Sequence, residues 1–304
     1  MFNPVTAADV HAHRPDDDDP RWQESFCIVW HDPLSNSGGN HHFSLWRNQG
    51  IADVWSWVIV DGVEVAREQE HHLAVPDDDL TGIVVGGMRV ESGDDLRTYR
   101  LCHSSAQMEV DIHYDAYCPP VELDYGHGGA LLGKRHYETL GRVAVTVRRG
   151  VEERRLTGIA FQDHSWGPRE LLRNPAGTFF FAVFGEDLML SVYSRVTVDG
   201  VSQDGWVYEA GALRRVVRVA ISSQVGEDGL MPVRCDCELW TESGRGLRIC
   251  GEAQAGAVEG GIGLLAGDAL TVFECGGRLG GGMLEVKPLR FPLPRHRELL
   301  RLPD

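Results

Sequence analysis

The feature that most constrains this chain is that it repeats itself. Slid along itself by 138 positions, residues 24–63 align with residues 162–201 without a gap, and eleven of the forty positions are identical. Identities fall at Leu34/Leu172, Asn36/Asn174, Gly39/Gly177, Phe43/Phe181, Val54/Val192, Ser56/Ser194 and Val58/Val196. Both copies then end on Val-Asp-Gly-Val, at 60–63 and 198–201, and Trp46/Phe184 and Trp55/Tyr193 add aromatic pairs. Self-similarity over this length means a fold assembled from two copies of one unit.

That unit reads as β. "DVWSWVIVDGVEVA", "GRVAVTVRRGVEERRLTGIAF", "LMLSVYSRVTVDGV" and "VRCDCELW" are rich in β-branched and aromatic residues and broken by Asp-Gly or Arg-Gly. Asp61-Gly62 and Asp199-Gly200 are hairpin-turn signals between strands. Helical periodicity is confined to a short tail, His296–Leu302. With 36 glycines and frequent turns, the pattern predicts an all-β chain of barrels or sandwiches. Two copies of one unit predict two domains, at 1–155 and 156–304.

Composition narrows the partners. Hydrophobic residues make up 42% and charged residues 24%, the mix of a globule with a real core. No apolar run approaches the ~20 residues of a membrane span. The first twenty residues lack the basic and apolar segments of a secretory leader, so a cytoplasmic location is expected. A formal charge of −16 repels phosphate backbones and argues against nucleic acid. The acidic runs Asp16–Asp19 and Asp77–Asp79 adjoin prolines and read as solvated loops. Seven scattered cysteines form neither a disulfide framework nor a zinc motif and read as reduced thiols. His41-His42 and His71-His72 would diverge on a strand, so no metal is expected. Gly280–Gly282 precedes neither a helix nor a phosphate-binding lysine, which removes a nucleotide. Nothing in the strand pattern fixes an oligomer; a homodimer is one option.

The two copies part company at one place. Asp163-His164-Ser165-Trp166 stands where the first copy has Ser25-Phe26-Cys27-Ile28. The shared fold therefore does not require the polar cluster. Strand alternation puts Phe161, Asp163 and Ser165 on one face and Gln162, His164 and Trp166 on the other. An aspartate beside Phe161 in an apolar cavity would be desolvated and its pKa raised. Such an acid can protonate an alkene or a leaving hydroxyl. Aromatic faces would steady the resulting positive charge, and Tyr193, Trp206, Tyr208 and Trp46 are the candidates. His136 and Glu138 share a strand face, either as an acid–base group with Asp163 or as a structural pair in the hairpin. His164 either moves a proton or orients a neighbour. Arg169 either clamps a substrate carboxylate or forms a surface salt bridge. The plain alternative makes Asp163 a turn cap, Trp166 core, and Gly167-Pro168 a corner.

"HYETLGRVAVTVRRG…LTGIAFQDHSWGPR" resembles the carotenoid 1,2-hydratase (hydroxyneurosporene synthase) superfamily of two-barrel lipocalin-like proteins. The resemblance rests on Asp163-His164-Ser165-Trp166-Gly167, on His136-Tyr137-Glu138 before Gly141-Arg142, and on Gly280-Gly281-Gly282 leading to Glu285. It implies two lipocalin-like antiparallel β-barrels arising from the duplication. It further implies hydration, dehydration, isomerisation or Diels–Alder-type cyclisation of a hydrophobic terpenoid, steroid or polyketide-like molecule, without an organic cofactor. In such relatives the aspartate of the motif is the proposed proton donor, which transfers to Asp163. Many relatives carry arginine before that aspartate; here Gln162 removes the ion pair. Expected site residues are Asp163, His164, His136 and Glu138 for catalysis. Phe161, Trp166, Arg169, Tyr193, Trp206, Tyr208, Trp46 and Glu285 are expected to contact substrate. Asp163 is expected at the wall of the second barrel's largest cavity, which could extend to the interface between the barrels, with His164, His136 or Glu138 in hydrogen-bond or one-water reach. A carrier that binds an apolar ligand without chemistry is the alternative of a different class.

Overall fold

The computed structural model describes residues 2–93, 95–123, 133–170, 176–197, 200–261 and 264–288. The tail His296–Leu302 lies outside them, as does Asp199. Among the described residues every strand pairing is antiparallel, and the helical turns are two short 3-10 segments, Ala7–Val10 and Arg47–Gln49. The first half supplies β1 (Trp22–Asp32), β2 (Ser37–Trp46), β3 (Ile51–Val60), β4 (Val63–Ala74), β5 (Val84–Val85), β6 (Met88–Ser92), β7 (Thr98–Ser104), β8 (Glu109–Ala116), β9 (Val121–Leu123), β10 (Arg135–Arg149) and β11 (Glu152–Pro168). The second supplies β12 (Ala176–Val183), β13 (Leu188–Thr197), β14 (Gly200–Glu209), β15 (Ala212–Val225), β16 (Pro232–Thr241), β17 (Gly246–Gly261), β18 (Leu264–Cys275) and β19 (Arg278–Lys287).

β12 to β19 close into an eight-stranded barrel in chain order. The first eleven strands form one curled sheet in the order β4-β3-β2-β1-β11-β10-β8-β7-β6-β5, with β9 on β10. Its two ends approach each other, since His103 on β7 stands 3.2 Å from Glu68 on β4. The seam carries a polar cleft of about 510 Å³ lined by Arg67, Glu70, Gly87 and Gln107, and none of the expected site residues is in it.

β11 pairs with β10 over Glu152–Trp166 and with β1 over Ile159–Pro168, so the Asp163–Gly167 motif, expected in a second domain beginning at 156, is laddered into the first sheet. The repeat explains why. A shift of 138 carries Phe26 onto His164, and Phe26 is also the residue His164 faces across the β1–β11 ladder. Equivalent strands of the two copies thus meet about a local two-fold centred on that pair. The second copy lends its opening strand to the first sheet.

Side-chain parity divides the apolar residues into three groups. Phe26, Ile28, Trp30, Phe43, Tyr99, Tyr137 and Trp166 fill the first sheet. Phe180, Val192, Val207, Leu239, Phe273 and Leu284 fill the closed barrel. The alternate residues of the same strands, among them Phe161, Phe179, Phe181, Tyr193, Trp206 and Met283, form a third cluster with Cys27, Val29, Trp57 and Leu140. A barrel exterior is ordinarily polar; this one is aromatic because it is buried against the first sheet. Gly281 marks the contact, where an added Cβ would stand 3.2 Å from both His31 and Ile159. His31 spans the junction. Its Nδ1 accepts from the Gly282 amide (3.2 Å), and its Nε2–H therefore donates to Gln254 Oε1 (3.1 Å). Burial pushes this imidazole down to about 4, which keeps it neutral.

Candidate active site

Asp163 lies in neither barrel interior. Its strand parity turns it outward from the first sheet, into the aromatic junction beside Phe161, which stacks on Phe181 at 5.0 Å. The interior of the closed barrel is filled by the Phe180 and Phe273 group, and Asp163 stands at the interface between the two β bodies. Across the ladders Asp163 faces Cys27 on one side and Glu138 on the other. Among the described residues no group donates a hydrogen bond to the Asp163 carboxyl. Burial pushes its pKa well above the usual carboxylate range, the charges of Glu138 and Glu285 push the same way, and Arg169 opposes them.

Glu138 has the opposite surroundings. His136 Nε2–H donates to its Oε1 at 2.8 Å, Trp206 Nε1–H donates to Oε2 at 2.9 Å, and the Tyr193 hydroxyl also donates. Burial alone would raise its pKa, but the bond and charge of His136, with the hydroxyl donors, bring it below the usual value. The two facing carboxyls are therefore driven apart, Glu138 downward and Asp163 upward. Burial keeps His136 neutral, with Nε2–H the donor. On Asp163's other side, Arg169 donates to Ser25 Oγ at 2.8 Å and to Ser165 Oγ.

The rest of the expected set divides. Tyr193 and Trp206 bind Glu138 as described; Tyr208 packs against the aromatic cluster. Glu285 sits on the barrel wall, ion-paired to Lys287 at 3.0 Å. Trp46, at the end of β2, is outside the cluster. His164 and Trp166, expected with Asp163, lie apart from it, because strand alternation sends them into the first sheet. His164 Nδ1 lies 2.9 Å from the Asp9 carbonyl and Nε2 lies 3.2 Å from Glu24, while Trp166 stacks on His13 at 3.6 Å. His13, Glu24 and His164 bring donor atoms within 4.8 Å of one another. Arg47 (3.3 Å) and the His13 amide (2.7 Å) already serve Glu24, so an ion-pair network accounts for the group.

The sequence reading missed a second acidic group on the barrel wall. Asn40 Nδ2 donates to Glu259 Oε1 at 2.6 Å and reaches Asp268 Oδ2 at 3.4 Å; Trp57 Nε1–H donates to Glu259 Oε1 at 3.0 Å. Cys27, the ladder partner of Asp163, donates through Sγ to Asn40 Oδ1 at 3.2 Å. Burial pushes both Glu259 and Asp268 upward. No motif announces them. Their one sequence signal is a lone acid on each arm of an otherwise apolar hairpin, "AVEGGIGLLAGDAL".

A family model described as "Domain of unknown function (DUF7064)" matches residues 6–290. No curated protein matches the chain by sequence. Among solved structures, a protein assigned as AttH from Nitrosomonas europaea superposes with a TM-score of 0.68 at 14% identity, covering 90% of this chain and 94% of that one. Kievitone hydratase from Nectria haematococca gives 0.60 at 13% identity over 86% and 88%. CghA, solved with Sch210972, gives 0.61 at 13% identity over 95% and 96%. Identities this low speak for the fold alone. At that level they agree with the two-barrel superfamily that the sequence resembles.

Proposed function

The chain belongs to the DUF7064 family, and we propose that this member is an acid–base hydratase or dehydratase acting on a hydrophobic small molecule at the junction of its two β bodies. One observation carries the reading: Asp163 is a half-buried carboxyl with no hydrogen-bond donor among the described residues, directly opposite a buried Glu138 that is fully supplied with donors. That environment holds a proton on Asp163 near neutral pH, where it can be given to an alkene carbon or to a leaving hydroxyl. Ionised Glu138 raises that acid and is itself kept charged by Tyr193, Trp206 and His136. The aromatic walls, Phe161, Phe179, Phe181 and Tyr193, exclude water and present π faces to a developing carbocation. A terpenoid, steroid or polyketide-like ligand suits such walls, and the chemistry calls for no organic cofactor. The name of one structural neighbour, a hydratase, supports the same direction.

The test uses a panel of terpenoid, steroid and polyketide alkenes and tertiary alcohols in ¹⁸O-labelled water. Incorporation of label into an alcohol, or release of water from one, is expected with the wild type. Removing a general acid costs ~10²–10⁴ in rate, so Asp163→Asn should lose that factor while circular dichroism is unchanged. A cyclase using Asp163 only to polarise a carbonyl would lose modestly, and a carrier would bind as before. Unchanged turnover in Asp163→Asn would make the motif a structural corner.

A further inference from the structure

The Glu259–Asp268 group is separate from the residues that hold Asp163 and Glu138. It belongs to β17 and β18 of the closed barrel, whereas Asp163 belongs to β11 of the first sheet. The two acidic centres nevertheless share one junction. Cys27 stands beside Asp163 across the ladder, its thiol reaches Asn40, and Asn40 reaches both barrel carboxyls. The Asp268 side chain is fully buried, its Oδ1 has no donor among the described residues, and Glu259 is its carboxyl neighbour. Two acids held this close by one amide and one indole cannot both ionise freely, so the pair shares a proton.

We infer that the Glu259–Asp268 pair, positioned by Asn40 and Trp57, is the proton acceptor of the reaction, facing Asp163 as donor across the bound substrate. The inference rests on the hydratase or dehydratase reading. In dehydration, the Asp163 proton passes to the leaving hydroxyl oxygen, the C–O bond breaks, and its electron pair leaves on water. The pair takes a proton from the adjacent carbon, and the electrons of that C–H bond become the π bond. The products are an alkene and water. Asp163 is left as a carboxylate and the pair one proton richer, and exchange with solvent restores both. Where the reaction is a hydration, Asp163 gives its proton to one alkene carbon, the pair takes a proton from the attacking water, and that water's oxygen bonds the neighbouring carbon.

Trp57 supplies a readout without substrate, because its indole donates to Glu259. The emission that disappears in Trp57→Phe should titrate in the neutral range, persist in Asp163→Asn and be abolished in Glu259→Gln. A Trp57 signal flat from pH 5 to 9, or one still titrating in Glu259→Gln, would overturn the inference without any assay of turnover. On the panel compound that wild type converts, Glu259→Gln should lower kcat about 10²-fold or more and remove the acid-side limb of the pH profile. Asp163→Asn should remove the alkaline-side limb instead. If Asp163→Asn loses turnover while Glu259→Gln and Asp268→Asn retain both limbs, the acceptor is elsewhere and the donor reading stands. If neither acid matters, the donor reading itself fails.

Discussion

A carboxyl placed directly across a β ladder from a carboxylate is disfavoured by strand pairing itself, since like charges on opposed residues repel. Asp163 and Glu138 make such a pair, and the repulsion is relieved by keeping the proton on Asp163. Burial is the larger cause of that raised pKa, and Glu138 is the next. A general acid works while protonated, so with Asp163 in the role proposed for it activity falls as pH rises through its pKa. Glu138→Gln removes the repelling charge, stabilises ionised Asp163 and lowers its pKa. The alkaline limb of the pH–rate profile should move to lower pH by roughly one to two units, within the range that a neighbouring charge produces. A limb that stays in place in Glu138→Gln would remove Glu138 as a cause and leave burial and Glu285. The parity of Phe161, Asp163 and Ser165 was legible in the sequence, and so was the shared face of His136 and Glu138. The role of His164 was not. Its neighbours Asp9, His13 and Glu24 lie about 140 residues or more away along the chain, and no local pattern reports them.

At the scale of elements, the repeat was readable, but the exchange of strands was not. Identity at a shift of 138 says which strands correspond; it does not say which of them pair. Only the register, with Phe26 opposite its own counterpart His164, places β11 in the first sheet. β19 shows the same limit. Gly280–Gly282 could be excluded as a phosphate loop from sequence, yet the reason for the glycines is the packing of this strand. A Cβ at Gly282 would fall 1.9 Å from the Phe181 carbonyl oxygen, and at Gly281 it would meet His31, Ile159 and Pro33 at 3.2–3.3 Å. Gly281 is the graded case. Alanine there asks neighbours to give by a few tenths of an ångström, whereas leucine overfills the contact. Overpacking costs about 1–3 kcal/mol, so Gly281→Leu should lower the denaturant midpoint accordingly, and Gly281→Ala much less. Equal midpoints for the two variants would mean that the junction is looser than the packing implies.

The whole molecule carries two opposed sets of buried acids, and their balance sets its dependence on pH. Glu24 belongs to the first set. Burial alone would raise it, but the bonds from His13 and His164 and the charge of His164 bring it down to about 2. A folded-state pKa depressed below the ordinary value of 4.5 adds stability above that value, lost as pH falls toward 2. At 1.36 kcal/mol per unit this is about 3 kcal/mol. Asp163, Glu259 and Asp268 form the second set, pushed up by burial. The unfolded chain releases those protons from about pH 4 upward while the folded chain retains them, so stability declines as pH rises toward the folded values. The formal charge of −16 adds self-repulsion in the same direction. Thermal midpoints at constant ionic strength should therefore be highest in the mildly acidic range, near pH 5, and decline toward both pH 3 and pH 8. Salt separates the two contributions on the alkaline side, because exposed charges are screened and buried carboxyls are not. At 0.5 M salt the residual decline from pH 5 to 8 should be smaller in the double variant Asp163→Asn, Glu259→Gln than in wild type. A midpoint that climbs through pH 8, or an alkaline slope identical in the two proteins at high salt, would show that these acids do not hold their protons in the folded state.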